Sequence, residues 1–163
     1  MNDLRYWEDV GGEGYQVFDV EYTVSKEEII DIGTRYDPLP FHTDEEAAKK
    51  SYYGGLTAPG VLTQCIAVWL IAHSVPKAAV IGLVGKEEVK FPNPVRPGDV
   101  LHLELEVVGK RRSRTRKDRG IVQNRFIVKN AKDEIVYSAI HIALFFTREA
   151  DPELVVANNR LPT

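Results

Sequence analysis

Between Gly60 and Val75 the chain reads GVLTQCIAVWLIAHSV, sixteen residues without an Asp, Glu, Lys or Arg. A helix with one face in water alternates its apolar stripe with charge, and this one has no charge to show. It is also shorter than the roughly 20 apolar residues that cross a bilayer. The segment therefore predicts a helix buried on most of its faces, around which the rest of the chain is arranged. Cys65 lies within it. As the one cysteine of the chain it excludes an internal disulfide, and it is expected to be a small buried hydrophobe, not a nucleophile.

The flanking sequence supplies what could enclose such a helix. Gln16 to Val24 alternates apolar and polar residues as a half-buried strand does. Ser25 and Glu28 have capping-box spacing, and Ile29, Ile30 and Ile32 give a helix ending near Tyr36. Asp37-Pro38-Leu39-Pro40-Phe41-His42 is expected to be an irregular loop, since each proline removes an amide donor and pushes its predecessor toward extended geometry. Thr43 or Asp44 can cap a short helix, DEEAAKKS, and Tyr53-Gly54-Gly55 breaks the chain again. After the apolar helix come four strand-like stretches, at 80–91, 100–111, 121–129 and 135–147, separated by turn signals. This order predicts one α+β domain over 1–163, an antiparallel sheet wrapped around a long central helix. The tail ADPELVVANNRLPT shows little periodicity and is expected to lie over the surface or against a partner.

A net charge of -3 argues against a nucleic-acid binder. The acidic start has no apolar leader and no stretch is long enough to span a membrane, so the expectation is a cytoplasmic protein without a membrane partner. The charge is unevenly spread: KRRSRTRKDR, from Lys110 to Arg119, holds seven of the 21 basic residues and one of the 24 acids. Its plain interpretation is a solvated hairpin turn. His73, His102 and His141 have no cysteine or carboxylate spacing that suggests a metal site, and neither metal nor cofactor is expected.

The loop that places Asp37 five residues before His42 carries the chemistry. A carboxylate and an imidazole on a proline-stiffened segment can hold one water and divide base and acid duties. Gly60, after Ala58-Pro59 and without a side chain, would let a substrate carbonyl approach the first free amides of the central helix. Taken alone, the same Asp could be a turn former and the same His a hydrogen-bonded loop residue.

Three motifs in order resemble the MaoC-like (R)-specific enoyl-CoA hydratases and dehydratases: YDPLPFHTDEEAA, in which Asp37, Pro40 and His42 match a D-x-N-P-x-H loop; YYGGLTAPG; and KFPNPVRPGD followed by RSRTRKDRGIV. The resemblance spans most of the chain. Leu39 stands in place of the loop Asn, and Val68 where some hydratases have a helix serine. The resemblance implies a hot-dog fold, a catalytic Asp37/His42 dyad, a Gly60 amide that polarises the thioester carbonyl, and a homodimer or dimer-based oligomer. The substrate would be an acyl-CoA or carrier-bound acyl thioester. Tyr53 and Phe91 would then touch the acyl chain, and Arg112, Arg114 and Arg116 would hold CoA or pantetheine phosphate.

Two other functions fit the same scaffold. A hot-dog thioesterase usually takes a carboxylate from the long helix, and none stands between Gly60 and Val75. A non-catalytic acyl-thioester-binding subunit would keep the fold with an incidental dyad, and Leu39 is its best support.

Overall fold

The structure, a computed structural model, describes residues 4–11 and 14–159. Strand β1 (Gln16–Thr23) leads into α1 (Lys26–Tyr36), two short helices α2 (Pro40–Thr43) and α3 (Glu45–Lys49), and the long α4 (Gly60–Ser74). Strands β2 (Val80–Lys90), β3 (Val100–Arg112), β4 (Arg119–Asn130) and β5 (Ile135–Phe146) follow, then α5 (Pro152–Asn159). The strands form one antiparallel sheet in the order β1-β3-β4-β5-β2, so β1 and β2 are its edges. This is the α+β arrangement that the apolar helix and the run of four strands predict, with the element order of the hot-dog fold that the resemblance implies.

Period-two burial explains why the sheet takes this register. Leu101, Leu103 and Leu105 of β3 and Phe126 and Val128 of β4 turn inward, where Ile66, Ala67 and Leu70 of α4 meet them. Ser25 caps α1 by accepting the Glu28 amide at 3.1 Å. The Glu28 carboxylate completes no box; it accepts a 2.6 Å bond from the Tyr22 hydroxyl instead. Asp44, and not Thr43, caps α3 through the amides of Glu46 and Ala47.

Three expectations change. Asp37 to His42 is not wholly irregular, because Pro40 starts a turn of helix at a position where the missing amide costs nothing. The tail forms α5, with Asp151 accepting the Glu153 amide and Val155 packing with Ala79, Phe146 and Ala150 in a second, smaller cluster at the end of β5; its last four residues, 160–163, lie outside the described residues. The central helix is not buried on most faces. Leu62, Thr63, Ile66, Ala67 and Leu70 are covered, while Val61, Val68 and Trp69 are 39%, 49% and 37% exposed and Cys65 is exposed with them. The sheet of one chain curls around only one side. Among the described residues no helix is long and apolar enough to cross a membrane.

Candidate active site

Local folding brings Asp37 and His42 together. Asp37 ends α1, its amide bound to the Gly33 carbonyl, and the turn at Pro40 swings His42 back beneath it. Nε2 of His42 lies 3.5 Å from Oδ2 of Asp37, with the imidazole buried and the carboxylate partly open to solvent. The other ring nitrogen, Nδ1, is 2.7 Å from the Thr57 carbonyl. That carbonyl only accepts, so Nδ1 carries a proton, and Nε2 is the ring nitrogen turned toward Asp37. A separation of 3.5 Å is longer than a good direct hydrogen bond and suits two groups that grip one water.

Two features hold the imidazole. Gly33 lets α1 approach closely, since a Cβ there would stand 3.0 Å from both Cβ and the carbonyl oxygen of His42. The Thr57 segment is fixed in turn by its amide bond to the Phe41 carbonyl and by Arg96. The Arg96 guanidinium donates to the carbonyls of Tyr53 at 2.5 Å, Gly55 at 2.8 Å and Leu56 at 3.3 Å. Neither Gly33, Thr57 nor Arg96 is singled out by sequence spacing.

His42 opens onto a cavity of about 910 Å³ that Gly60 also lines. Its walls combine apolar and aromatic side chains, among them Leu39, Phe41, Tyr53, Phe91 and Val136, with polar ones at Thr57, Thr63, Asn93 and Arg96. Gly60 begins α4 behind the cap residue Pro59, whose carbonyl accepts the amides of Leu62 and Thr63. The Gly60 amide has no acceptor among the described residues and is a free donor at the positive end of a four-turn helix. The Phe91 ring passes 3.5 Å from where a Gly60 Cβ would sit. The cavity thus meets the His42 imidazole at one wall and a bare helix amide at another, while Asp37 does not line it and touches the site through His42.

Tyr53 and Phe91 are in this wall as expected, and so is Tyr52, which is almost fully exposed at the mouth. Trp69 is not; it stacks on His73 and meets Tyr22 farther along α4. Arg112, Arg114 and Arg116 do not line the cavity. Arg119 pairs with Phe146 at one end of β5 while Val136, which lines the cavity, stands ten residues away at the other. At about 3.3 Å per residue that is roughly 33 Å. Arg112 pairs with Glu8 at 3.0 Å and Glu149 at 2.8 Å, and Arg116 with Asp118. Arg119 beside it holds the Asp118 carboxyl down to about 2.

His102, Glu104 and Asp133 bring one ligand atom each within 4.8 Å of one another. The Lys129 ammonium already stands among them, 2.9 Å from Glu104 and 3.0 Å from Asp133, and these carboxylates raise its pKa. The cluster is a lysine ion-pair site.

The family profile described as MaoC like domain matches residues 13–130. An uncharacterized protein of Bacillus subtilis, YdeM, is 33% identical over 92 residues, which are 56% of this chain and 65% of that protein. The crystal structure of a MaoC-like dehydratase from Rhodospirillum rubrum superposes with a TM-score of 0.81 at 35% identity, over 88% of this chain and 97% of that one. The unliganded R-hydratase PhaJ1 from Pseudomonas aeruginosa has the same fold, with a TM-score of 0.67 at 21% identity over 90% and 88% of the two chains.

Proposed function

This chain belongs to the family of MaoC-like domains, and on that basis we propose that it adds water across the C2=C3 bond of a trans-2-enoyl thioester, or removes it from the 3-hydroxyacyl product. The observation that supports the proposal is that His42 and the free Gly60 amide line one cavity, with the Asp37 carboxylate 3.5 Å from the His42 ring behind that wall. The thioester oxygen accepts from Gly60, which draws electron density from C3. A water between Asp37 and His42 gives a proton to the dyad as its oxygen bonds to C3, and the dyad returns a proton to C2. No other reactant is consumed, and the dyad ends as it began. The Thr57 carbonyl keeps the imidazole in the tautomer whose Nε2 can take part.

The proposed working unit is a homodimer. The exposed outer face of α4 and the unpaired edge β2, with Leu83 and Val84 50% and 58% exposed, are apolar surfaces that a second copy would cover. Light scattering on purified protein tests this, and a monomer at micromolar concentration would refute it.

The test of activity is loss of enoyl ultraviolet absorbance on incubation with trans-2-enoyl-CoA substrates, beside Asp37→Asn and His42→Ala. Turnover that falls about 10³-fold or more in both folded variants supports the dyad. Release of free thiol would instead indicate a thioesterase, and binding without turnover a non-catalytic acyl-thioester subunit.

A further inference from the structure

A second polar cluster lies on the inner face of the sheet, beyond Phe91 from the dyad. Lys86 of β2 stands opposite His141 of β5, and Gln64 of α4 and Tyr137 of β5 close over it. The Lys86 ammonium is 3.2 Å from Oε1 of Gln64 and 3.5 Å from the Tyr137 hydroxyl, which is 3.3 Å from Nε2 of His141. Burial holds the His141 pKa down to about 4, so this imidazole is neutral and able to accept from Tyr137. Tyr137 is then free to accept from Lys86. The chain of bonds has one direction and ends at an ammonium with no carboxylate within 4.0 Å among the described residues. Burial also lowers the Lys86 pKa, as expected of a cation that has lost water without gaining an anion.

The position of this cation is informative. Gln64 follows Gly60 by four residues and so lies one turn along the same face of α4, about 6 Å away. Phe91 bridges the two: its ring touches the Gly60 position on one side and meets the Tyr137 ring, at 5.6 Å between centroids, on the other. Lys86, Gln64 and Tyr137 do not line the cavity; Phe91, which does, is half-exposed and stands between its Gly60 end and them, so a chain that leaves a thioester at Gly60 would reach Lys86 only by passing along the Phe91 ring.

We propose that Lys86, with Gln64 and Tyr137, forms a subsite for a carboxylate at the far end of the acyl chain, so that the substrates are monothioesters of short unsaturated dicarboxylic acids. This rests on the hydratase assignment and narrows its substrate class. The reach corresponds to acids of about five or six carbons.

The experiment compares kcat/KM for the CoA monothioesters of pent-2-enedioic and hex-2-enedioic acids with pent-2-enoyl-CoA and hex-2-enoyl-CoA. It uses the full chain, Lys86→Met and Lys86→Arg. The parent is expected to prefer the carboxylated substrates; that preference should fall about 30-fold in Lys86→Met, the size of a charge-assisted bond, and recover in part in Lys86→Arg. The comparison within the parent needs no variant to fold. Hydration of the uncharged substrates without a preference for the carboxylated ones overturns the subsite alone, as does an equal loss on both substrates in a folded Lys86→Met. Hydration of none of the four overturns the hydratase assignment and the subsite with it.

Discussion

Gly60→Ala separates chemistry from folding because the structure predicts opposite signs for the two. Gly60 has an ordinary backbone φ and stands at the first position of α4. An alanine Cβ there would meet the Phe91 ring at 3.5 to 3.7 Å, which is normal contact. Folding should therefore gain the usual benefit of replacing glycine in a helix, about 0.5 kcal/mol, or a rise in Tm of about 1–2 °C. The same methyl would occupy the gap between the amide and Phe91 through which a thioester oxygen has to reach its donor. Loss of one oxyanion donor costs about 10²- to 10³-fold in kcat, close to 3–4 kcal/mol. Stopped-flow hydration of an enoyl-CoA, beside a thermal melt, reads both quantities. A folded variant whose kcat stays within about threefold of the parent would refute the role given to this amide.

Arg96→Met should lower stability by about 2 kcal/mol and kcat about tenfold, because it frees the carbonyls of Tyr53, Gly55 and Leu56 that fix the Thr57 segment behind His42; urea midpoints and steady-state kinetics check both. Gly33→Ala places a methyl 3.0 Å from His42, so it should destabilise by about 1–3 kcal/mol and reduce kcat by displacing the imidazole, measured the same way. His141 supplies a pH dependence. Its folded pKa of about 4 lies below the unfolded value of 6.5, so as pH falls the unfolded chain binds the proton first. Its stability contribution is complete above about pH 6.5 and is lost progressively down to about pH 4, by up to about 3 kcal/mol. Urea titrations from pH 7 to 4.5 should show a shallower acid loss in His141→Gln; parallel curves would refute the assignment.

What could be read in the sequence is what depends on near neighbours. The alternation of Leu101, Leu103 and Leu105 fixes which face of β3 turns inward, and Ser25 marks the start of α1. The loop that carries Asp37 and His42 can be seen because five residues separate them. The groups that orient His42 come from farther away: Thr57 is fifteen residues on, and Arg96 reaches back about forty residues to its carbonyls. No spacing rule links them, and the same is true of Lys86 with Gln64 and Tyr137. α5 escapes periodicity because Leu154, Val155 and Val156 are adjacent instead of spaced by a helical turn, although Asp151 and Pro152 are starting signals.

The error about α4 is of another kind. Apolar residues all round a helix measure how much cover the helix needs, and the chain supplies that cover only for Leu62, Ile66, Ala67 and Leu70. Val61, Cys65, Val68 and Trp69 keep the character of core residues while facing outward, beside a sheet edge that carries Leu83 and Val84. In the proposed homodimer, sequence hydrophobicity would register burial in the assembly, whereas the single chain shows burial by itself. The difference between the two is the apolar surface that the proposed second copy would cover. Such a dimer would also bring Gln64, Cys65 and Lys86 close to its boundary, so the proposed carboxylate subsite and the dimer contact would be built on neighbouring turns of the same helix.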